Sequence, residues 1–265
     1  MDIPIVNMTQ IVDIQSLQDG RNLAIDQVGI KQLRYPISVS SNDSDIQQTI
    51  AKFSLSVALP ATEKGTHMSR FIEVLETYQQ PFAIHTLQNF VQTLQTHMQS
   101  EQTFVELSFP YFIRKVAPKS GKVSLMDYDI TLTACLNQKT YHQSLQLIIP
   151  VKTLCPASKE MAEYGAHSQR AHITLDLILT NPACRFEDFI QLVESQASAE
   201  LFAILKRTDE KHITEHAYDH PKFVEDLIRD IALQLKQSGQ VDSFTVECEN
   251  FESIHNHSAF ARITG

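Results

Sequence analysis

Phe53, Leu55, Val57 and Leu59 fall on alternate positions, with Ser54, Ser56 and Ala58 between them. Ile173, Leu175, Leu177 and Leu179 alternate in the same way with Thr174, Asp176 and Thr180. A period of two places one set of side chains in a core and the other set on the opposite face of a half-buried sheet. Strands are also expected over Val28–Ser40, Ile50–Pro60, Phe104–Val116, Ser124–Leu136, Tyr141–Val151, Ser243–Glu249 and Ser258–Ile263. Between them the period changes. Leu87, Phe90, Val91 and Leu94 recur at helical spacing, which predicts a helix over His85–Met98, and Met68–Tyr78 reads as another. Phe223, Val224, Leu227, Ile228, Ile231 and Leu235 form one apolar stripe of a longer helix that Gly239 ends. Phe186–Glu194 and Ala199–Lys206 are also expected to be helical, while Pro221 and the turn-like Asp219-His220 favour an exposed loop around His212, His216 and His220. The order is two strands, two helices and further strands, and the second half follows it in outline without any sequence repeat. Such a chain fits an α+β fold, with antiparallel sheets and helices layered on one face.

The 265 residues allow one large domain or two smaller ones, each with room for a core. A hydrophobic fraction of 43% and a charged fraction of 20% are those of an ordinary globular protein. With no long apolar run and no basic-then-apolar leader, neither a membrane span nor a secretory signal is expected. The formal charge of −9 argues against non-specific nucleic-acid binding, which needs a broad basic surface. Cys135, Cys155, Cys184 and Cys248 are scattered without a paired CxxC, the pattern of reduced thiols in a cytoplasmic chain.

Chemistry concentrates just after the strand-like run Leu145–Val151. The segment Leu154-Cys155-Pro156-Ala157-Ser158-Lys159-Glu160 is followed by Tyr164-Gly165-Ala166-His167-Ser168-Gln169-Arg170, with a thiol and an imidazole twelve residues apart. Both are good ligands for first-row metals, and the intervening loop lets two sheet-borne residues converge. Glu252, His255 and His257 add a carboxylate and two imidazoles near the C-terminus. This set points to a metal-assisted hydrolase rather than a structural zinc site.

Several blocks resemble, in order, those of the type IB GTP cyclohydrolases. They are Asn22–Lys31, Leu59–Phe71 (LPATEKGTHMSRF), Cys155–Arg170, Leu205–Glu210 (LKRTDE), Pro221–Asp226 (PKFVED) and Glu249–Ala259 (ENFESIHNHSA). The resemblance implies two tandem tunnelling-fold modules, here residues 21–152 and 153–265 after a loose N-terminal arm over 1–20, with the second module carrying most site residues. It further implies a homotetramer with active sites at subunit interfaces. The activity it implies is hydrolysis of GTP to 7,8-dihydroneopterin triphosphate and formate, the entry to folate and 7-deazaguanine biosynthesis. The expected cofactor is a divalent metal, manganese, zinc or similar.

Carried over by motif, Cys155, His167 and Glu210 are the expected metal ligands, with Glu252 and His255 beside them as further ligands or orienting residues. Glu225 matches the carboxylate that anchors the guanine edge, and His255 and His257 are the expected proton shuttles. Lys206, Arg207 and Lys211, and separately Lys64, His67 and Arg70, form basic groups suited to a triphosphate. Taken alone, each of these residues also has a plainer reading. Cys155 would be a small buried residue, His167 a packing histidine, Glu225 a solvated helix charge, and the basic clusters solvated faces. One departure stands out. The family commonly reads C-P-C-S-K-E where this chain has Cys155-Pro156-Ala157-Ser158-Lys159-Glu160, so a second active-site thiol is replaced by Ala157. That leaves open a catalytically impaired or non-catalytic purine-binding paralogue. A nitrile reductase of the same fold is a weaker alternative, because none of the four cysteines lies in its motif.

Overall fold

The computed structural model describes residues 13–15, 17–41 and 45–265. Eight strands form one sheet in strict sequence order, every neighbour antiparallel. They are β1 (Ile25–Ser40), β2 (Ile46–Leu59), β3 (Gln102–Val116), β4 (Val123–Asn137), β5 (Thr140–Leu154), β6 (Ser168–Leu179), β7 (Val241–Asn250) and β8 (Ala259–Thr264). Among the described residues six helices accompany these strands: α1 (Ser69–Thr77), α2 (Leu87–Met98), α3 (Pro156–Met161), α4 (Phe186–Gln196), α5 (Arg207–Asp219) and α6 (Val224–Ser238). The fold is α+β, and none of the described helices is long and apolar enough to cross a membrane.

The alternation seen in the sequence decides which face of the sheet is covered. Phe53, Leu55 and Val57 of β2, Leu145, Leu147 and Ile149 of β5, and Ile173, Leu175 and Leu177 of β6 are all buried. Helices pack over this face, with α2 against β3 and β4, α4 against β5, and α6 against β7 and β8. Each helix contributes its apolar stripe: Leu87, Phe90, Val91 and Leu94 from α2, and Leu227, Ile231 and Leu235 from α6. Burying a side chain of this size contributes about 1.5–3 kcal/mol, so the stripes hold the helices in place. The Phe53, Phe82, Phe90 and Tyr78 rings meet mostly edge to face, at centroid separations of 5.0–6.3 Å. Gly239 closes α6 at φ +65°, a left-handed conformation that glycine adopts without steric cost.

The element order β-β-α-α-β-β runs from β1 to β4 and recurs from β5 to β8, with α3 and one further helix added. Residues 152 and 153 both lie in β5, which pairs with β4 on one side and β6 on the other, so the sheet is continuous there. Residues 1–12 and 16 of the expected N-terminal arm lie outside the described residues. Residue 15 and residues 17–19 run along the 62–65 loop, where Asp19 N donates to Thr62 O (3.0 Å), and Leu17 O and Gln15 O accept from Lys64 N (3.1 Å) and Gly65 N (3.2 Å).

Two expectations are corrected. Ala199–Lys206 is not helical. Ala199 bridges Lys152 of β5, and the Ser198 hydroxyl accepts a hydrogen bond from Leu154 N at 3.1 Å, so this backbone is pinned to a strand edge. The helix begins instead at Arg207, and the segment around His212, His216 and His220 is α5 rather than a loop. Pro221 stands just beyond its C-terminal cap and so marks where the helix stops.

Candidate active site at the end of β5 and β6

Strand β5 ends at Leu154, and the chain turns at Cys155 into the short helix α3, with Pro156 at its first position. The loop returns to β6 at Ser168, and three hydrogen bonds close it. Cys155 N donates to His167 O (3.1 Å), His167 N to Ser158 Oγ (3.1 Å), and Ser158 Oγ to Cys155 O (3.2 Å). The thiol and the imidazole are therefore borne on directly bonded backbone. Cys155 Sγ accepts from Ser158 N at 3.4 Å, and both Cys155 and His167 are half-buried.

Glu252 follows β7 and reaches the same place. Its Oε2 lies 3.8 Å from His167 Nδ1, and both side chains are largely shielded from water. His167 Nδ1 also lies 3.0 Å from Gln169 Oε1. Both neighbours of this nitrogen are acceptor oxygens, which favours a proton on Nδ1 and leaves the lone pair on Nε2. Lys152, one strand away, donates to Ser168 Oγ at 2.8 Å, and burial pulls its ammonium below the usual lysine range.

The other expected site residues lie on further elements of the fold. Glu210 lies exposed in the first turn of α5. Lys206 caps that helix, and Arg207 begins it, both exposed. Asp209, between them and Glu210, is buried and fixes the start of the helix. Its Oδ1 accepts from Lys119 N and Ser120 N (both 2.8 Å), and its Oδ2 from Lys206 N (2.8 Å). Burial alone would raise the pKa of Asp209, but the Ser120 hydroxyl and these backbone N–H groups outweigh it and hold the carboxyl well below the usual range. Lys211 is paired with Glu215 at 2.5 Å. Glu225 is exposed in the first turn of α6. His255 and His257 are exposed, their rings stacked 5.0 Å apart. His67 pairs with Asp13 at 3.0 Å.

The structure thus brings Cys155, His167 and Glu252 to one end of the sheet. It does not gather a complete ligand set in one chain: among the described residues, no three His, Cys, Asp or Glu side chains are grouped to hold an ion. The donor chemistry nevertheless fits a divalent metal. A thiol sulfur, an imidazole nitrogen left open at Nε2 and a carboxylate suit zinc and also tolerate manganese.

Sequence reasoning passed over Ser158, which staples the loop, and the buried polar residues Thr153, Gln169 and Asn250. Their signal was present in the alternation. The inward positions of β5, β6 and β7 are apolar until the end nearest Cys155, where they become Thr153, Gln169 and Asn250.

The fold is shared with solved structures of very different sequence. It is similar to uricase from Arthrobacter globiformis (TM-score 0.52, 5% identity, 90% of this chain and 92% of that one). It is likewise similar to urate oxidase from Bacillus sp. TB-90 (TM-score 0.51, 11% identity, 91% and 99%). An antiparallel sheet with helices over one face, matched in this way, defines the class as a urate-oxidase-like tunnelling fold. Residues 11–261 match the family model described as type I GTP cyclohydrolase folE2. Relatives include "GTP cyclohydrolase FolE2" of Aromatoleum aromaticum, 49% identical over 96% of this chain and 93% of that protein. "GTP cyclohydrolase FolE2" of Neisseria meningitidis serogroup C is 47% identical over 97% and 85%. The chain belongs to the type I GTP cyclohydrolase folE2 family.

Proposed function

We propose that this chain is a GTP cyclohydrolase of type IB, hydrolysing GTP to 7,8-dihydroneopterin triphosphate and formate with a divalent metal such as manganese or zinc. Family membership supports the activity. The observation that carries the site is the closed Cys155–His167 loop with Glu252 beside the imidazole. Cys155, His167 and Glu210 would hold the ion, with Glu252 as a further ligand or as the carboxylate that orients His167. When bound, the metal supplies a water of lowered pKa and charge stabilisation at the purine carbon.

The remaining residues bind and move protons. Glu225, acceptor-only when ionised, takes two N–H donors from the guanine edge and so orients the five-membered ring. His255 and His257 exchange protons with the ring nitrogens as the C8–N bonds open. Lys206 and Arg207, and from a separate basic group His67, meet the triphosphate on a chain of net charge −9. Because the described residues of one chain do not assemble the whole ligand set, the reading places the complete site between subunits of a homotetramer, each built of two tunnelling-fold modules. The chain acts in the cytoplasm, on no nucleic acid, at the entry to folate or 7-deazaguanine synthesis.

Incubation of the purified protein with manganese and GTP, followed by oxidation, should yield a fluorescent pterin. No pterin above a metal-stripped control would count against the activity. Ala157, half-buried in the first turn of α3, favours one second reading: a chain that binds GTP without opening it. Calorimetry beside a formate assay separates the two, since that reading requires binding heat with no formate.

A further inference from the structure

The apolar face of the sheet ends in a polar layer that runs across three strands. Thr153 of β5, Gln169 of β6 and Asn250 of β7 are 0%, 9% and 3% exposed, on the inward face otherwise lined by Leu, Ile, Val, Ala, Phe and Cys. Thr153 and Gln169 are cross-strand partners, and Asn250 pairs with Ala171, two residues on from Gln169. The hydrogen bonds form one line. Cys248 Sγ donates to Asn250 Oδ1 (3.6 Å), and Thr153 Oγ1 donates to the same oxygen (3.4 Å). Gln169 Nε2 donates to Thr153 Oγ1 (3.2 Å), and Gln169 Oε1 faces His167 Nδ1 (3.0 Å).

Burying three polar side chains where the register calls for apolar ones is costly unless each is bonded. Here each is bonded, and the bonds are directional. The Gln169 amide has its N–H₂ turned toward Thr153, so only its oxygen faces the imidazole. The Glu252 carboxylate, 3.8 Å from the same ring nitrogen, is likewise an acceptor. One acceptor at hydrogen-bond distance, with a second acceptor oxygen just beyond it, favours the hydrogen on that nitrogen.

We propose that Gln169 is a positioning residue, which holds His167 in the tautomer protonated at Nδ1 and so presents Nε2 to the metal. The Thr153–Asn250 layer fixes the amide's orientation, so the ring is set before any ion arrives. This inference rests on the reading of His167 as a metal ligand, but its first consequence is a property of the metal-free protein. Outer hydrogen bonds of this kind are worth about 10–100-fold in metal affinity.

The test has two arms. Long-range ¹H–¹⁵N correlation of the His167 ring in the metal-stripped wild-type protein, at a pH where the ring is neutral, should show the proton on Nδ1. A proton on Nε2 would overturn the proposal whether or not the protein binds metal. The second arm measures zinc and manganese affinity by competition with a chromophoric chelator. Gln169→Leu should weaken binding about 10–100-fold, while Gln169→Glu, which retains an acceptor, should stay within a few-fold of wild type. A Gln169→Leu protein with wild-type affinity would overturn the proposal, as would equal losses in both variants. Wild-type protein that binds no metal would sink the metal reading and leave the tautomer result to stand on its own.

Discussion

Gly29 lies in β1, within the short paired stretch Val28–Ile30 that register breaks flank on both sides. A Cβ built there would meet Leu55 O at 2.0 Å, Ser56 Cα at 2.6 Å and Leu55 C at 2.9 Å, well short of the 3.4 Å at which ordinary contact begins. All three atoms are backbone, so no side chain can swing aside. Strand β2 cannot retreat either, because Leu55 is paired on its other side with Val105 of β3. The edge strand β1 must therefore move by more than an ångström. Overpacking strain of about 1–3 kcal/mol, with loss of ladder hydrogen bonds worth about 1 kcal/mol each, gives a destabilisation of roughly 2–4 kcal/mol for Gly29→Ala once partial relaxation of an edge is allowed. For a chain of this size that lowers Tm by roughly 5–15 °C. Gly20 is the control: nothing lies within 4 Å of a Cβ there, and Gly20→Ala should melt within about 2 °C of wild type. Thermal unfolding followed by circular dichroism checks both. Coincident melting of Gly29→Ala and wild type would refute the claim that this contact needs glycine.

Asp209→Asn should be less stable at neutral pH. Because the native carboxyl titrates below its ordinary value of 3.8, its contribution is present above that value and is lost as pH falls through the lower native one. Wild-type protein should thus lose more stability below pH 3.8 than Asp209→Asn does in parallel denaturant titrations, and parallel acid losses would contradict the assignment. Glu225→Gln removes a charged acceptor worth about 1.5–3 kcal/mol and should raise KM for GTP by about 10–100-fold with metal content unchanged. Steady-state kinetics beside metal analysis checks this, and an unchanged KM would show that Glu225 is only a solvated helix charge. Ala157→Cys should raise formate release, by on the order of 10²-fold if the thiol supplies a positioned proton-transfer group. An unchanged rate would remove the missing thiol as an explanation for low turnover.

The alternation in β2 and β6 and the stripe of α6 ending at Gly239 were legible because packing there agrees with local preference. Ala199–Lys206 misled for a physical reason. Its helix-forming residues are overridden by the bridge to Lys152 and the bond from Leu154 N to Ser198, which only the tertiary fold supplies. Likewise, α5 looked broken by Asp219-His220-Pro221, although a proline just past a helix end is a stop signal. At the site, the Cys155–His167 spacing was readable as a pair able to converge, and the backbone bond joining the two residues explains how twelve positions of separation become contact. Each polar break in the alternation was visible, but not that the three form one layer. Thr153, Gln169 and Asn250 are far apart in the chain, and only the strand register aligns them.

The central claim is that Cys155, His167 and Glu210 share one divalent ion on which ring opening depends. Formate release from GTP, measured on metal-stripped protein as manganese is titrated back, tests it most directly. The account predicts negligible release without metal, recovery that saturates near one ion per chain, and no recovery in Cys155→Ala or His167→Ala. Full release from the stripped protein, or full recovery in either variant, would contradict it.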